Sequence, residues 1–241
     1  MHDALVWQLV DSAFPTGAFA HSLGLESAWQ HGEVVSRDDL RRFVEATILQ
    51  AASGALPLVN AAHHDPARLT EWDALNDAFL TNAVANRASR QQGRTLVASA
   101  ARIFASSTLD ALCARFVSTP NSQSPTPKER STPNAQTTTP TLCAHVAPLT
   151  GAVFGALGVS LDTTQRVALF VAARGVLSAA VRLGVTGSYD AQRLQSESAG
   201  FSATVLARYR DATPIDLAQT APFIDILQGA HERLYSRLFQ S

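Results

Sequence analysis

Leu9–Glu26, LVDSAFPTGAFAHSLGLE, is the stretch whose reading decides how the rest of the chain is arranged. Pro15 fixes its own φ and pushes Phe14 out of the α region, while Gly17 can take a positive φ. F-P-T-G therefore predicts a β-turn, with a helix ending near Ala13 before it. Beyond the turn, Ser22 is placed to cap a new helix carrying Leu23, Ala28 and Trp29 on its apolar side, and Gly32 is placed to stop it. The plainer reading is a corner that reverses the chain between two helices, and the residues alone favour it. The sharper reading is that Phe14 and Phe19, flanking a turn of small residues, leave apolar surface for a partner.

Outward from this corner the periodicity is helical. Ser36 and Asp39 form a capping-box-like start, Leu40, Phe43, Val44, Thr47 and Ile48 follow at helical spacing, and Gly54 with Pro57 permits a break before a short helix over Leu58–His63. His63-His64 is poor metal-ligand geometry, because helical neighbours point about 100° apart. A solvated turn is expected there, with Asp65 capping the next helix and Pro66 in its first turn. Leu69–Ser106 reads as one kinked helix or two abutting ones, with Arg87, Arg90 and Arg94 on successive turns as a solvated basic stripe. Pro148 opens another helix, with Phe154 and Leu157 facing inward and Gly158 ending it. Asp162 and Gln165 resemble a further capping box, opening a helix to Gly184 in which Ala168, Ala172, Gly175 and Ala179 permit close approach. Arg174, amid apolar neighbours, requires a paired carboxylate or carbonyl. An amphipathic helix is expected near Asp190–Arg208. In 222–239, Ile224, Leu227, His231, Leu234 and Leu238 form one stripe, which predicts a final helix.

The 241 residues are 46% hydrophobic, enough for a sizeable core. With 19 basic against 20 acidic residues and a net charge of -1, there is no bulk attraction to nucleic acid or to anionic membrane. Arg174 and Arg182 interrupt the most apolar window, Val167–Val185, so a buried helix is expected there rather than a membrane span. Two cysteines, Cys113 and Cys143, are too few for a disulfide framework and suit reduced thiols in a cytosol. No basic, apolar leader is present at MHDALVWQLVDSAF, and a cytoplasmic location is expected. Residues 118–141, with seven Thr, five Pro and four Ser, cannot bury enough apolar surface to order themselves and are expected to form a disordered insertion.

Phosphate-cradling loops and H-E-x-x-H zinc motifs are absent. Cys143-Ala144-His145 offers two soft ligands, short of a structural site, so no metal site and no cofactor are expected. Ser12, His21 and Ser22 could supply a nucleophile and a base, but without an elbow or an orienting acid. A small helical hydrolase is therefore the alternative reading, behind a non-catalytic one. No run alternates at period two, and the fold class expected is an all-α single domain, a bundle of roughly ten helices.

Five segments carry a family resemblance. Asp11, Ser12, Ala13, Pro15, Gly17, Phe19, His21, Ser22, Leu23, Gly24, Leu25 and Glu26 match, without a gap, the N-terminal signature D-S-A-x-P-x-G-x-F-x-H-S-L-G-L-E of the UreF urease accessory proteins. The central R-x-x-S-x-x-x-G is met at Arg87, Arg90 and Gly93, with Ser89 one residue early. H-x-x-P-L-x-G at His145–Gly151 and A-A-V-R-L-G at Ala179–Gly184 are similar too. The C-terminal H-E-x-L-x-x-R-L-F-x-S is matched by His231, Glu232, Leu234, Arg237, Leu238, Phe239 and Ser241. The resemblance implies a non-catalytic homodimeric adaptor that binds a UreD/UreH-type scaffold protein and a UreG-type GTPase and helps insert nickel into apo-urease. The residues it implies at partner surfaces are Phe14, Pro15, Gly17, Phe19, His21, Ser22, Glu26, Arg87, Arg90, His231, Glu232, Tyr235, Arg237, Leu238 and Phe239.

Overall fold

The corner forms at Pro15, but it is tighter than a β-turn. In the computed structural model, which describes residues 2–117 and 142–240, helix α1 (His2–Val10) ends at Val10 rather than near Ala13. Asp11 takes over from it: its carboxylate accepts from Ala13 N at 2.7 Å and its carbonyl from Phe14 N at 3.1 Å. Thr16 N then closes on Phe14 O at 2.8 Å, a three-residue turn about Pro15. Ser22 does not cap the next helix. α2 (Leu25–Gln30) starts after Leu23 and Gly24, both with positive φ (57° and 86°), and Gly24 is its N-cap. A Cβ on Gly24 would also come within 3.1 to 3.3 Å of Gln228 and of Ile224 O, so the same residue supplies the backbone twist and the close approach of the last helix.

α3 (Arg37–Gly54) opens with the expected capping box of Ser36 and Asp39, and α4 (Leu56–His64) follows the break. His63 and His64 finish α4 instead of forming a solvated turn, because His63 Nε2 donates to Val159 O at 2.8 Å. Asp65 makes no side-chain cap, and Pro66–Arg68 is a 3-10 turn. The alanine-rich run is two helices, α5 (Leu69–Phe79) and α6 (Ala83–Ile103), divided where the Asn82 side chain accepts from Val84 N and Ala85 N. After α7 (Ser107–Val117), the expected disordered insertion lies outside the described residues. α8 (Val146–Ala156) takes Pro148 as its third residue rather than its first. α9 (Leu161–Arg182) is capped by Ser160, which accepts from Thr163 N, not by Asp162. Gln165 is buried instead and donates to Asn60 Oδ1 at 2.8 Å and to Arg210 O at 2.6 Å. α10 (Ser188–Tyr209) and α11 (Pro222–Ala230) complete an all-α bundle, with no strand among the described residues.

Two apolar clusters fill the interior. One lies among α2, α3, α9, α10 and α11 around Leu25, Ile48, Leu169 and Leu194. The other lies among α1, α4, α6, α7 and α8 around Leu58, Val97, Leu109 and Leu149. Each fully buried leucine contributes about 1.5 to 3 kcal/mol. α4 and α8 lie so close that a Cβ on Gly151 would meet Val59 O at 2.2 Å. α9 is long and apolar enough to cross a membrane, yet half of that window is buried within the protein, packed against α3 and α10. It is a core helix, as its interrupting arginines suggest. Arg174 finds the required carbonyl at Val10 O, and burial lowers its guanidinium pKa against the opposing pull of Asp11.

Candidate functional site

The apolar stripe of 222–239 does not become one helix. α11 ends at Ala230, a 3-10 turn covers His231–Arg233, and Leu234 is already extended. The cause is a non-local acceptor. Glu26, on α2 and 2% exposed, accepts from Leu238 N at 2.6 Å, Phe239 N at 3.2 Å and His231 Nε2 at 2.8 Å. A buried carboxylate needs several donors to offset its desolvation, and here the C-terminal tail supplies all three. Gln30 Nε2 donates to Ser236 O at 2.9 Å, and Gln240 N donates to Ala20 O at 2.7 Å, so the tail is strapped along its length. Arg182 of α9 closes the structure from the other side: its guanidinium donates to Phe19 O and lies 4.3 Å over the Phe239 ring.

The strap buries one set of side chains and turns another set outward. His231 and Phe239 point in, while Glu232, Tyr235, Arg237 and Leu238 face solvent, Tyr235 without any cover. Glu232 also meets Arg87 of α6 in an exposed ion pair. Such a pair is worth about 0 to 1 kcal/mol and orients the tail more than it stabilises the fold.

Next to this pair on α6, Arg90 is half-buried and bonded within the protein. Its Nε donates to Cys143 O at 3.2 Å and its guanidinium lies 4.0 Å from Asp77. The segment it touches is pinned from below by Asp73, 1% exposed, whose two oxygens accept from Ala144 N at 2.9 Å and His145 N at 2.7 Å. That clamp holds Ala144 at a φ of 78°, unusual for a residue with a side chain. The loop can sit so low only because α6 carries glycine there: a Cβ on Gly93 would meet Ala144 O at 2.0 Å. His145 is fully buried. Its Nε2 donates to Asp77 Oδ1 at 3.0 Å and its Nδ1 accepts from Ser89 Oγ at 3.1 Å. Hydrogen bonds from Asn86 and His145 hold the Asp77 carboxyl below the usual carboxylate range. Asp77, Cys143 and His145 each place a donor atom within 4.8 Å of the others.

The sequence model of UreF matches residues 34–199. The chain belongs to the UreF family. Urease accessory protein F of Arabidopsis thaliana is 37% identical over 238 residues, covering 98% of this chain and 91% of that protein. The protein of the same name in Oryza sativa subsp. japonica is 36% identical over 236 residues, 97% of this chain and 83% of its own length. UreF of Arthrobacter sp. (strain FB24) is 28% identical over 235 residues, 97% and 95% respectively.

On this UreF framework the two terminal signatures are halves of one structure, joined through Glu26. Of the residues singled out from sequence, His21, Ser22, Glu26, His231 and Phe239 are buried at that junction. Phe14 is buried as well, stacked on Phe104 with centroids 6.2 Å apart, so it leaves no apolar surface at the turn. Pro15, Gly17, Phe19, Arg87, Glu232, Tyr235, Arg237 and Leu238 are exposed, and Arg90 is half-buried. Ser22 has no exposed surface while Ser12 lies on the outside. Sequence reading missed Arg182, Asp73 and Asp77. Arg182 carried a signal, as a charge inside an apolar helix; the two aspartates, on an ordinary amphipathic helix, carried none.

Proposed function

We propose that the chain is a non-catalytic adaptor of urease maturation, acting in the cytoplasm as a homodimer that holds a UreD/UreH-type scaffold protein and a UreG-type GTPase while nickel is inserted into apo-urease. In this reading residues 1–241 form one UreF-like helical domain. Membership of a family whose relatives are called urease accessory proteins supports the reading, and one observation about this chain carries it further. The C-terminal strap is anchored by buried groups, Glu26 and Phe239, so that Tyr235, Arg237 and Leu238 stand outward on a fixed backbone.

Such pre-organisation is what a docking segment needs, since ordering it beforehand removes a cost that binding would otherwise carry. Tyrosine and arginine are the residue types in which binding energy concentrates, each worth about 2 kcal/mol or more when buried by a partner. Any effect on nucleotide hydrolysis comes from positioning the GTPase rather than from a group supplied by this chain. The test is co-purification with the scaffold protein and the GTPase, with and without GTP and nickel. Tyr235→Ala and Arg237→Ala are expected to fold as the parent does and to lose assembly and urease activation. Normal assembly by both variants overturns the reading of the strap as the docking segment.

A further inference from the structure

Cys143 and His145 alone fall short of a metal site, and the structure brings them a third ligand from a distant helix. Asp77 of α5 lies against them, and one donor atom from each of the three residues falls within 4.8 Å of the other two. We propose that Asp77, Cys143 and His145 form a binding site for a divalent transition cation of the borderline-soft class to which zinc and cobalt belong. The proposal does not depend on the adaptor reading: it concerns the isolated chain and stands or falls without partner proteins.

The donor chemistry selects the class. A thiolate, an imidazole and a carboxylate together suit borderline transition ions and not magnesium or calcium, which take oxygen ligands. The geometry is close to that needed. Metal bonds of about 2.0 to 2.3 Å at tetrahedral angles put ligand atoms roughly 3.3 to 3.6 Å apart. The Asp77 and His145 donors are already 3.0 Å apart, and the thiol has a short distance to close. The two ligands that must adjust are the two that reach the surface: Asp77 is 40% exposed and Cys143 is partly exposed. Their exposure also leaves an approach for the ion and an open position for water.

The third ligand is rigid, and its surroundings support metal binding. His145 is fully buried, with its backbone N held by Asp73 and its Nδ1 beside Ser89 Oγ. With Nε2 given to a metal, the ring proton moves to Nδ1 and donates to Ser89, whose hydroxyl oxygen can accept as readily as its proton can be given. This is the outer hydrogen bond that metal-bound histidines usually make. Charge points the same way. Asp73, Asp77 and one cation, Arg90, are the charges that act on the thiol, which leaves a single negative charge around it. When the ion arrives, the Cys143 thiol releases its proton to solvent and the sulfur binds as thiolate, so two negative charges meet a dication.

The experiment uses the full-length reduced protein titrated with Co²⁺ and followed by absorption, with Zn²⁺ competing. Expected is uptake of one Co²⁺ per chain with a thiolate-to-cobalt charge-transfer band and tetrahedral d–d bands, all removed by one equivalent of Zn²⁺. Cys143→Ser removes the charge-transfer band, Asp77→Asn weakens uptake with unchanged circular dichroism, and Ser89→Ala weakens it by about 10- to 100-fold. Cys113→Ser, at the other thiol, changes nothing. Wild-type protein without the charge-transfer band overturns the proposal. So does a band that survives Cys143→Ser, or Co²⁺ uptake that is lost only on replacing His63 and His64.

Discussion

Replacing Glu26 by Gln keeps the side chain's size and one of its oxygens, and this makes the buried carboxylate a clean test of what holds the C-terminal strap. Oε1 accepts from Leu238 N, and Oε2 accepts from both His231 Nε2 and Phe239 N. Whichever way the amide turns, its NH₂ faces at least one donor. The loss is then a charge-assisted hydrogen bond, about 1.5 to 3 kcal/mol, together with an orphaned buried donor, about 1 to 3 kcal/mol. A total of about 2.5 to 6 kcal/mol is a large part of the roughly 5 to 15 kcal/mol that holds a domain together. The loss should appear first in the tail. Hydrogen exchange at the Leu238 and Phe239 amides is expected to accelerate by about two orders of magnitude or more, since each 1.4 kcal/mol is about tenfold. Urea unfolding followed by circular dichroism should show a lower midpoint. Unchanged exchange at both amides together with an unchanged midpoint would refute the assignment of Glu26 as the anchor.

Burial first, and the neighbouring His231 second, lower the pKa of His21 from its ordinary 6.5. The folded protein then resists a proton that the unfolded chain accepts, so the stability this histidine contributes is present above that value and lost as pH falls through the folded pKa. His21→Gln should flatten the stability profile between about pH 7 and about pH 5, the range in which imidazole titrates, and a parallel profile in urea melts would rule this out. Gly93→Ala puts a Cβ 2.0 Å from Ala144 O; overpacking of this kind costs about 1 to 3 kcal/mol, and a thermal midpoint equal to the parent's would contradict the account of the loop. Phe239→Ala, deep under Arg182, should cost about 3 to 5 kcal/mol, whereas Tyr235→Ala, fully exposed, should stay within about 0.5 kcal/mol. Thermal melts check both, and equal losses would mean that the strap is not laid out as described.

Local chemistry was legible wherever one residue determines its own neighbourhood. The Ser36–Asp39 box, the stops at Gly32 and Gly158 and the carbonyl partner of Arg174 are all present. Four helix starts were misread, at Ser22, Asp65, Pro148 and Asp162, because a polar side chain or a proline in the right register is only one route to a start: Gly24 serves through its φ, Ser160 lies two residues before Asp162, Asp65 makes no side-chain cap and Pro148 is the third residue of its helix. The longest miss is the final helix. The spacing of Ile224, Leu227, His231, Leu234 and Leu238 is truly helical, but periodicity measures how a segment would present its side chains, not where its backbone donors go. Glu26, on the second helix of the chain, outcompetes the helical carbonyls for Leu238 N and Phe239 N, and no pattern within 222–239 can report that.

The same reasoning explains why, of the three residues proposed as metal ligands, Cys143 and His145 were legible as a pair in sequence while Asp77 was not. Asp77 and Cys143 are brought together by Gly93 and by the Asp73 clamp, and each of these reads in sequence as an unremarkable helix residue. The two features share a construction: a buried aspartate or glutamate collects backbone N–H groups from a distant segment and sets its path. At Glu26 the segment so fixed presents Tyr235 and Arg237; at Asp73 it presents Cys143 and fixes His145. An acidic residue buried on a helix, with too few local donors to satisfy it, is therefore the sign in this chain that a distant segment is being held in place. Asp73→Asn puts that rule to the test, because its amide would face Ala144 N or His145 N as a second donor. The loop should loosen, and Co²⁺ uptake should weaken although no ligand has been touched; uptake equal to the parent's, with the exchange of both amides unchanged, would mean that the loop keeps its path without the carboxylate.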